Sequence, residues 1–518
     1  MFHLVIDPAL VGATATAANY KLIQGGNGGA LTGAAGYAGA GGIGVFVGEA
    51  ASFSNHGTII GGTGGYSGQN ADYYGYGGVG GAGVFIYAGG HVTNTGTIIG
   101  GTGGADVGSG TIGGAGVYLK NGGVFTNSGK VIGGAGGNTQ HYGGQGDAVL
   151  FGGTIGGTLI SAPGAVFNGT VSGSYLPGSV LELSGSSAVA FAGVGTQIIG
   201  FNTISFATGA VRTVEGSSYG FQAEAIDGFA PRDSIVVDGF TATVTDTTFE
   251  GGYIFLNDTT DTLNSFFAFE RNLTKDIIIT ASGGKTTFTA PPGTVVSTLG
   301  SDAGQFILSG GTATKTTVKT GGLEEILKGG TAAGATLAGG ELILEVGAKL
   351  TAGVSFTTVK GGDLVLESAT LPTATITGFI AGDTITLPGI IYNTNDSVTV
   401  AKAGIVSIVT PGKTYSLNIA GATVGETDLH FSAGSILTKS TAAKAVMEFV
   451  RPQETPAGTA YSFHRETDLS TMFAPTIGRP ATAQAATLAT HPALLGAADS
   501  LRATLDRNQQ ITIPQHPA

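Results

Sequence analysis

The side chains that could support acid–base, nucleophilic or metal chemistry are sparse and out of step with one another. Before residue 211 the carboxylates are Asp7, Glu49, Asp72, Asp106, Asp147 and Glu182. Glycoside hydrolysis needs two carboxyl groups held about 5 to 10 Å apart, and no pair here recurs at a fixed spacing. Glu324 and Glu325 are adjacent, so a strand sends them to opposite sides. Glu341, Glu345 and Glu367 are read as one solvated face. The histidines, His3, His56, His91, His141, His430, His464, His491 and His516, form neither a His-x-His nor a His-Glu-x-x-His pair. His56 and His91 stand at different places in the repeat described below, so no histidine ladder is expected. The chain has no cysteine, hence neither a thiolate ligand nor a disulfide. Glycine-rich matches to a phosphate loop open no helix, and no Gly-x-Ser-x-Gly elbow precedes one. These residues assign no catalytic group, no metal site and no cofactor. The chain is read as a non-enzyme.

Binding chemistry is better represented. The stretch 63–82 carries Tyr66, Tyr73, Tyr74 and Tyr76 among Gly, Ser, Gln and Asn, and the stretch 135–146 carries His141 and Tyr142. Tyrosine supplies rigid amphipathic contact area, and Ser, Gly and Asn supply adaptable hydrogen bonds. Two readings stand: a contact face for glycans or for another copy of the chain, or glycine-rich spacers whose tyrosines pack back on the scaffold. Asn55, Asn94 and Asn127 fall in register and are expected to bond along the stack as a structural ladder.

The elements that position these residues come from internal repeats. Gly44-Val45-Phe46-Val47 leads to Ser54-Asn55-His56-Gly57-Thr58-Ile59-Ile60-Gly61-Gly62. Matching units contain Val84-Phe85-Ile86 with Asn94, and Val117-Tyr118-Leu119 with Asn127. They recur after about 39 and then about 33 residues, the difference lying in a glycine-rich loop after the last Gly-Gly. Short β-branched and aromatic runs make strands, and Gly and Asn make the corners between them. One such unit cannot bury its apolar side alone, so units must stack. A second repeat has Gly-Gly pairs at 310–311, 321–322, 329–330, 339–340 and 361–362. A third duplication relates Ile226-Asp227-Gly228-Phe229 and Asp233 to Ile376-Thr377-Gly378-Phe379 and Asp383. Both aspartates are read as turn residues bonding nearby backbone.

Composition agrees. Glycine is 94 of 518 residues and charged residues are 11%. Glycine at that level disfavours helices, each interior glycine costing about 1 kcal/mol relative to alanine. Hydrophobics at 42% exclude wholesale disorder. The net charge is −12, and residues 1–211 hold only Lys21, Lys120 and Lys130 as cations. That leaves no basic stripe for nucleic acid, and no run of 18 apolar residues predicts a membrane span. Residues 1–20 lack the basic and apolar regions of a standard signal peptide.

The Ser/Thr-Asn-x-Gly-Thr/Lys-Ile/Val-Ile-Gly-Gly units resemble rungs of bacterial filamentous haemagglutinins and autotransporter passengers. The segment with Ser309-Gly310-Gly311-Thr312-Ala313 and Lys328-Gly329-Gly330-Thr331-Ala332 resembles the repeats of AIDA-type diffuse adhesins. The resemblance covers about 25–190 and 300–370, near half of the chain. It implies a right-handed parallel β-helix (a β-solenoid), export to the bacterial surface or beyond, and adhesion or aggregation, with host or bacterial surface glycans or proteins as partners. Neither a translocator barrel nor a two-partner secretion domain is recognisable. The stretch 379–387 resembles the segment that follows calcium-binding nonapeptides in type I secreted proteins, but Gly143-Gly144-Gln145-Gly146-Asp147 is one residue short of that repeat and stands alone.

The expected architecture is therefore all-β, a parallel β-helix in two blocks. Its parts are an N-terminal segment or cap (1–24), a glycine-rich solenoid (25–190), an irregular β segment (191–300), a second solenoid block (301–443) and a Pro/Ala-rich tail with a short helix (444–518). The expected role is that of an adhesin or passenger making multivalent contacts along a rigid scaffold. The alternatives are a self-assembling extracellular filament, matrix or surface-layer subunit, associating end to end or side by side, and a polysaccharide-degrading β-helix enzyme.

Overall fold

The computed structural model describes residues 4–6, 16–31, 36–68, 75–105, 110–137, 143–222, 225–243, 247–250, 253–257, 264–271, 275–291, 297–402, 404–422, 429–432 and 434–439. The tail from 444 onward, with its expected helix, lies outside them. The described chain is a parallel β-helix, with strands and one short helix, Ser218–Gln222.

Three short strands make one coil of the first stack. Val45–Val47, Ser52–Asn55 and Thr58–Ile60 are followed, strand over strand, by Val84–Tyr87, His91–Asn94 and Thr97–Ile99. Val117–Lys120, Val124–Asn127 and Lys130–Ile132 repeat the set, and all pairings are parallel and in register. Alternation decides what is inside. Val45, Val84, Val117 and Val149 form one buried row, and Ile59, Ile98 and Val131 another, all with no exposure. Leu4–Ile6, Thr16–Asn19 and Leu22–Gln24 supply a preceding coil. Parallel stacking continues past residue 190 to Ser234–Asp238 on Thr213–Ser217 in one sheet and to Asn264–Arg271 on Ala225–Asp227 in another.

Then the direction changes. Lys285–Thr289 pairs antiparallel with Ser234–Asp238, and Asp276–Ser282 pairs antiparallel with both Lys285–Thr289 and Ala303–Ile307. From Ala303–Ile307 onward a second parallel stack runs through Leu323–Ile326, Glu341–Leu344, Asp363–Leu366 and Thr384–Thr386. Its opposite wall is Thr298–Leu299, Thr312–Lys319, Thr331–Ala338, Lys349–Phe356 and Thr375–Thr377. Ile436–Lys439 ends one wall, antiparallel on Thr384–Thr386, while on the other wall Lys413–Ile419 adds parallel to Thr375–Thr377 and is followed by the antiparallel Ile405–Thr410 and Ser397–Lys402.

The joining sheet is covered on both faces. Phe306 and Leu323 belong to one hydrophobic cluster, while Ile307 and Ile326, on the other face of the pleat, belong to the second. All four residues of Leu323–Ile326 are buried, the two glutamates included.

The two copies of the duplicated motif fold alike. Asp233 accepts backbone N–H bonds from Ala230 and from Arg212 in the preceding coil, both at 3.0 Å. Asp383 accepts from Ile380 at 3.1 Å and from Gly362 in the preceding coil at 3.2 Å. Phe206–Phe229 and Phe356–Phe379 pack edge to face at 5.5 and 5.4 Å.

Candidate functional site

At the corner after the second strand of each coil, Asn55 accepts the Gly57 N–H and donates to Gly57 O, both at 3.2 Å. The same amide donates to Asn94 Oδ1 at 2.8 Å, and Asn94 donates to Asn127 Oδ1 at 2.8 Å. Asn19 stands one coil earlier and donates to Asn55 Oδ1 at 2.8 Å. The repeat pattern missed it because Tyr20-Lys21-Leu22 replaces the usual x-Gly-Thr. All four amides are buried.

The glycine-rich stretches between coils, read from sequence as variable loops, form two layers of extended chain. Outgoing segments begin at Gly25, Gly61, Gly100 and Gly133, and returning segments lead into Val45, Val84, Val117 and Val149. Backbone bonds cross from layer to layer as a relay: Gly42 to Gly26, Gly62 to Gly42, Gly81 to Gly62, Gly101 to Gly81, Gly114 to Gly101, Gly134 to Gly114 and Gly146 to Gly134, at 2.6–2.9 Å. A second relay lies three residues further along and includes Gly39 to Gly29, Gly65 to Gly39, Gly78 to Gly65 and Gly104 to Gly78, at 2.7–2.9 Å. The three-residue period matches that of a polyproline II chain.

Glycine is needed here for proximity. A Cβ at Gly101 would lie 1.9 Å from Gly62 O, and its φ is not positive. The Gly-Gly pairs of the second stack are different. Gly329 turns a corner at φ +85°. Gln145 stands in the last coil of the lattice, and its Nε2 donates to Gly133 O and Asn168 O at 3.4 and 3.3 Å.

The third residue of each Gly-Gly-x triplet points away from the lattice. Tyr66 is on the outgoing layer and Tyr76 on the returning layer, each about half exposed. The two tyrosines therefore face opposite ways. Tyr73, Tyr74, His141 and Tyr142 lie outside the described residues. The returning layer carries a pattern the loop reading did not detect. Tyr37, Ala40, Ile43 and Phe46 recur every three residues, with Tyr76, Val79, Ala82 and Phe85 beside them and Ile112, Ala115 and Tyr118 next. None is charged. Tyr37 stacks on Tyr76 at 5.1 Å, Phe46 on Phe85 at 5.6 Å, and Tyr118 meets Phe85 edge-on at 5.0 Å. Val79 and Ile112 are 47% and 52% exposed, too open for core residues. The result is a regularly spaced exposed face, uncharged across these three segments and bordered by Asp147, which stands in register with Ala115 on the next returning segment. Its signal in the sequence was the period of three in glycine, which alternation and helix templates do not test.

A second constellation is internal. At the start of the second stack, Gln305 and Glu324 are in register on neighbouring strands. Ser297 and Thr316 precede the paired Thr298 and Thr317 on the opposite wall. Gln305 Nε2 donates to Asp276 Oδ1 and Oδ2 at 3.0 and 2.9 Å. Gln305, Thr316 and Glu324 have no exposure, and Ser297 and Asp276 have 6% and 7%. Burial pushes the Glu324 carboxyl up to about 7, with the Thr316 hydroxyl opposing and the Asp276 charge adding. Burial likewise pushes Asp276 up to about 6, the Gln305 amide opposing. The sequence did not disclose this group, because a Leu-Glu-Glu-Ile strand reads as having a solvated side.

Among the described residues no three His, Cys, Asp or Glu side chains converge on one point. None of the described helices is long and apolar enough to cross a membrane. The chain matches no protein-family model, and no curated protein matches it.

Proposed function

We propose that this chain is a secreted or surface-exposed bacterial structural protein of the adhesin or passenger type, which acts through repeated weak contacts along a β-solenoid. The observation that carries this reading is the face of the first three returning segments, where the uncharged Tyr37, Tyr76, Val79 and Ile112 stand exposed at regular places in the repeat. Contiguous exposed apolar patches mark interaction sites more often than chance, and repetition converts weak contacts into avidity. Partners of neutral, ring-bearing chemistry suit such a face, and surface glycans are the first class to test. The same exposed apolar rows favour a second reading, self-assembly into a filament, matrix or surface layer.

A concentration series of the purified chain by negative-stain electron microscopy, paired with retention on immobilised neutral polysaccharides, separates the two. Discrete particles at all concentrations with retention on polysaccharide support the adhesin. Fibres or sheets that grow with concentration make self-assembly the function. Discrete particles with no retention on glycan or protein surfaces count against both.

A further inference from the structure

We propose that Asp276, Ser297, Gln305, Thr316 and Glu324 form a buried site for one divalent hard cation of the calcium type. Ser297 Oγ, Gln305 Oε1, Thr316 Oγ1 and both carboxylate oxygens of Glu324 are buried with no partner in good hydrogen-bonding geometry among the described residues, although the Thr316 hydroxyl lies near enough to Glu324 to favour its charged form. Leaving a buried polar atom unpaired is destabilising, and native structures hold few such atoms. Here five fall within one cluster.

Register places them together. Gln305 and Glu324 are neighbours on one wall. Ser297 and Thr316 are neighbours on the other, with Thr317 N–H donating to Ser297 O at 2.8 Å. Ile307 and Ile326, on the same face as Gln305 and Glu324, share one hydrophobic cluster with Leu299 and Val318 of the other wall, so the walls converge. The Gln305 amide is oriented by its two bonds to Asp276, which commits its nitrogen and leaves Oε1 open.

Protonation alone does not satisfy this group. A proton on Glu324 needs an acceptor in hydrogen-bonding geometry, and neither Gln305 Oε1 nor Thr316 Oγ1 is placed in that geometry. A guest between the walls satisfies all five oxygens at once. The charge names the guest. Asp276 and Glu324 carry two formal negative charges, and among the described residues no Lys, Arg or His pairs with either. One 2+ ion balances them, whereas water leaves both charges buried. The donor set is oxygen only, with carboxylate, amide and hydroxyl members. Calcium takes six to eight such oxygens in irregular geometry, whereas magnesium demands octahedral order and keeps its waters. Full enclosure means that the ion enters as the stack folds.

The test uses the full chain. It is unfolded in denaturant with a chelator, refolded with or without calcium chloride, freed of loose ions by gel filtration, and measured by elemental analysis and thermal unfolding. About one calcium per chain is expected in the refolded protein, with a higher Tm than the metal-free chain and no equal gain from magnesium chloride. Glu324→Gln is expected to lose the bound calcium and the Tm response. Thr316→Val keeps the shape, removes one neutral ligand, and is expected to weaken calcium binding about 10-fold or more. It keeps the test decisive should Glu324→Gln fail to fold. The proposal is overturned if the wild-type chain retains no calcium and its Tm ignores it, which would assign the cluster to protons and water. It is also overturned if either variant holds calcium as tightly as the wild type.

Discussion

The Asn55 side-chain amide donates to Asn94 Oδ1 at 2.8 Å while also closing its own corner on Gly57. One residue therefore does two jobs, shaping a turn and tying adjacent coils. Asn94 sits inside this relay with an amide on each side, whereas Asn19 sits at its end with one. Asn94→Ala strands both neighbours and is expected to lower stability by about 2–4 kcal/mol. Asn19→Ala should cost about half as much. Chemical denaturation of the two variants measures the difference, and equal effects would refute cooperative bonding along the ladder.

Glycine in the lattice makes a sharper comparison. A Cβ at Gly101 meets backbone at 1.9 Å, whereas one at Gly26 or Gly29 meets nothing within 4 Å. Gly101→Ala is expected to destabilise the chain by more than about 2 kcal/mol. Gly26→Ala and Gly29→Ala should stay within about 0.5 kcal/mol. Thermal unfolding of the three single variants reads this directly.

Arg212 is buried, and its Nη1 donates to Ser161 O at 3.2 Å and Ser184 O at 2.8 Å, spanning two coils. Burial lowers its pKa from the ordinary arginine value. Arg212→Met removes both bonds and is expected to cost about 1–3 kcal/mol. Arg212→Lys should not restore the loss, since an ammonium lacks the planar fork. Urea midpoints of the two variants check this.

Parts of this structure were legible and parts were not, for physical reasons. The in-register Asn55, Asn94 and Asn127 were visible because a ladder needs only equal positions in a repeat. The turn role of Asp233 and Asp383 was visible because it is partly local: each accepts an N–H three residues back. The glycine lattice was not, because Gly62 and Gly101 are fixed by backbone from other coils, and local hydropathy carries no trace of it. Glu324 was missed because alternation names a buried side only when a sheet has one. Leu323–Ile326 lies between two cores, so both of its faces are interior.

We propose that contacts with partners run through the returning layer. The direct measurement is surface retention of two variant chains beside the wild type, on whichever polysaccharide or protein surface binds the wild type. One carries Tyr76→Ser and Ile112→Ser on the returning face, and the other carries Tyr66→Ser and Thr102→Ala on the outgoing face. With both folded as the wild type by circular dichroism, the returning-face variant is expected to lose retention at least about 10-fold through lost avidity. The outgoing-face variant is expected to keep it. Equal retention by the two, or loss confined to the outgoing-face variant, would contradict the account.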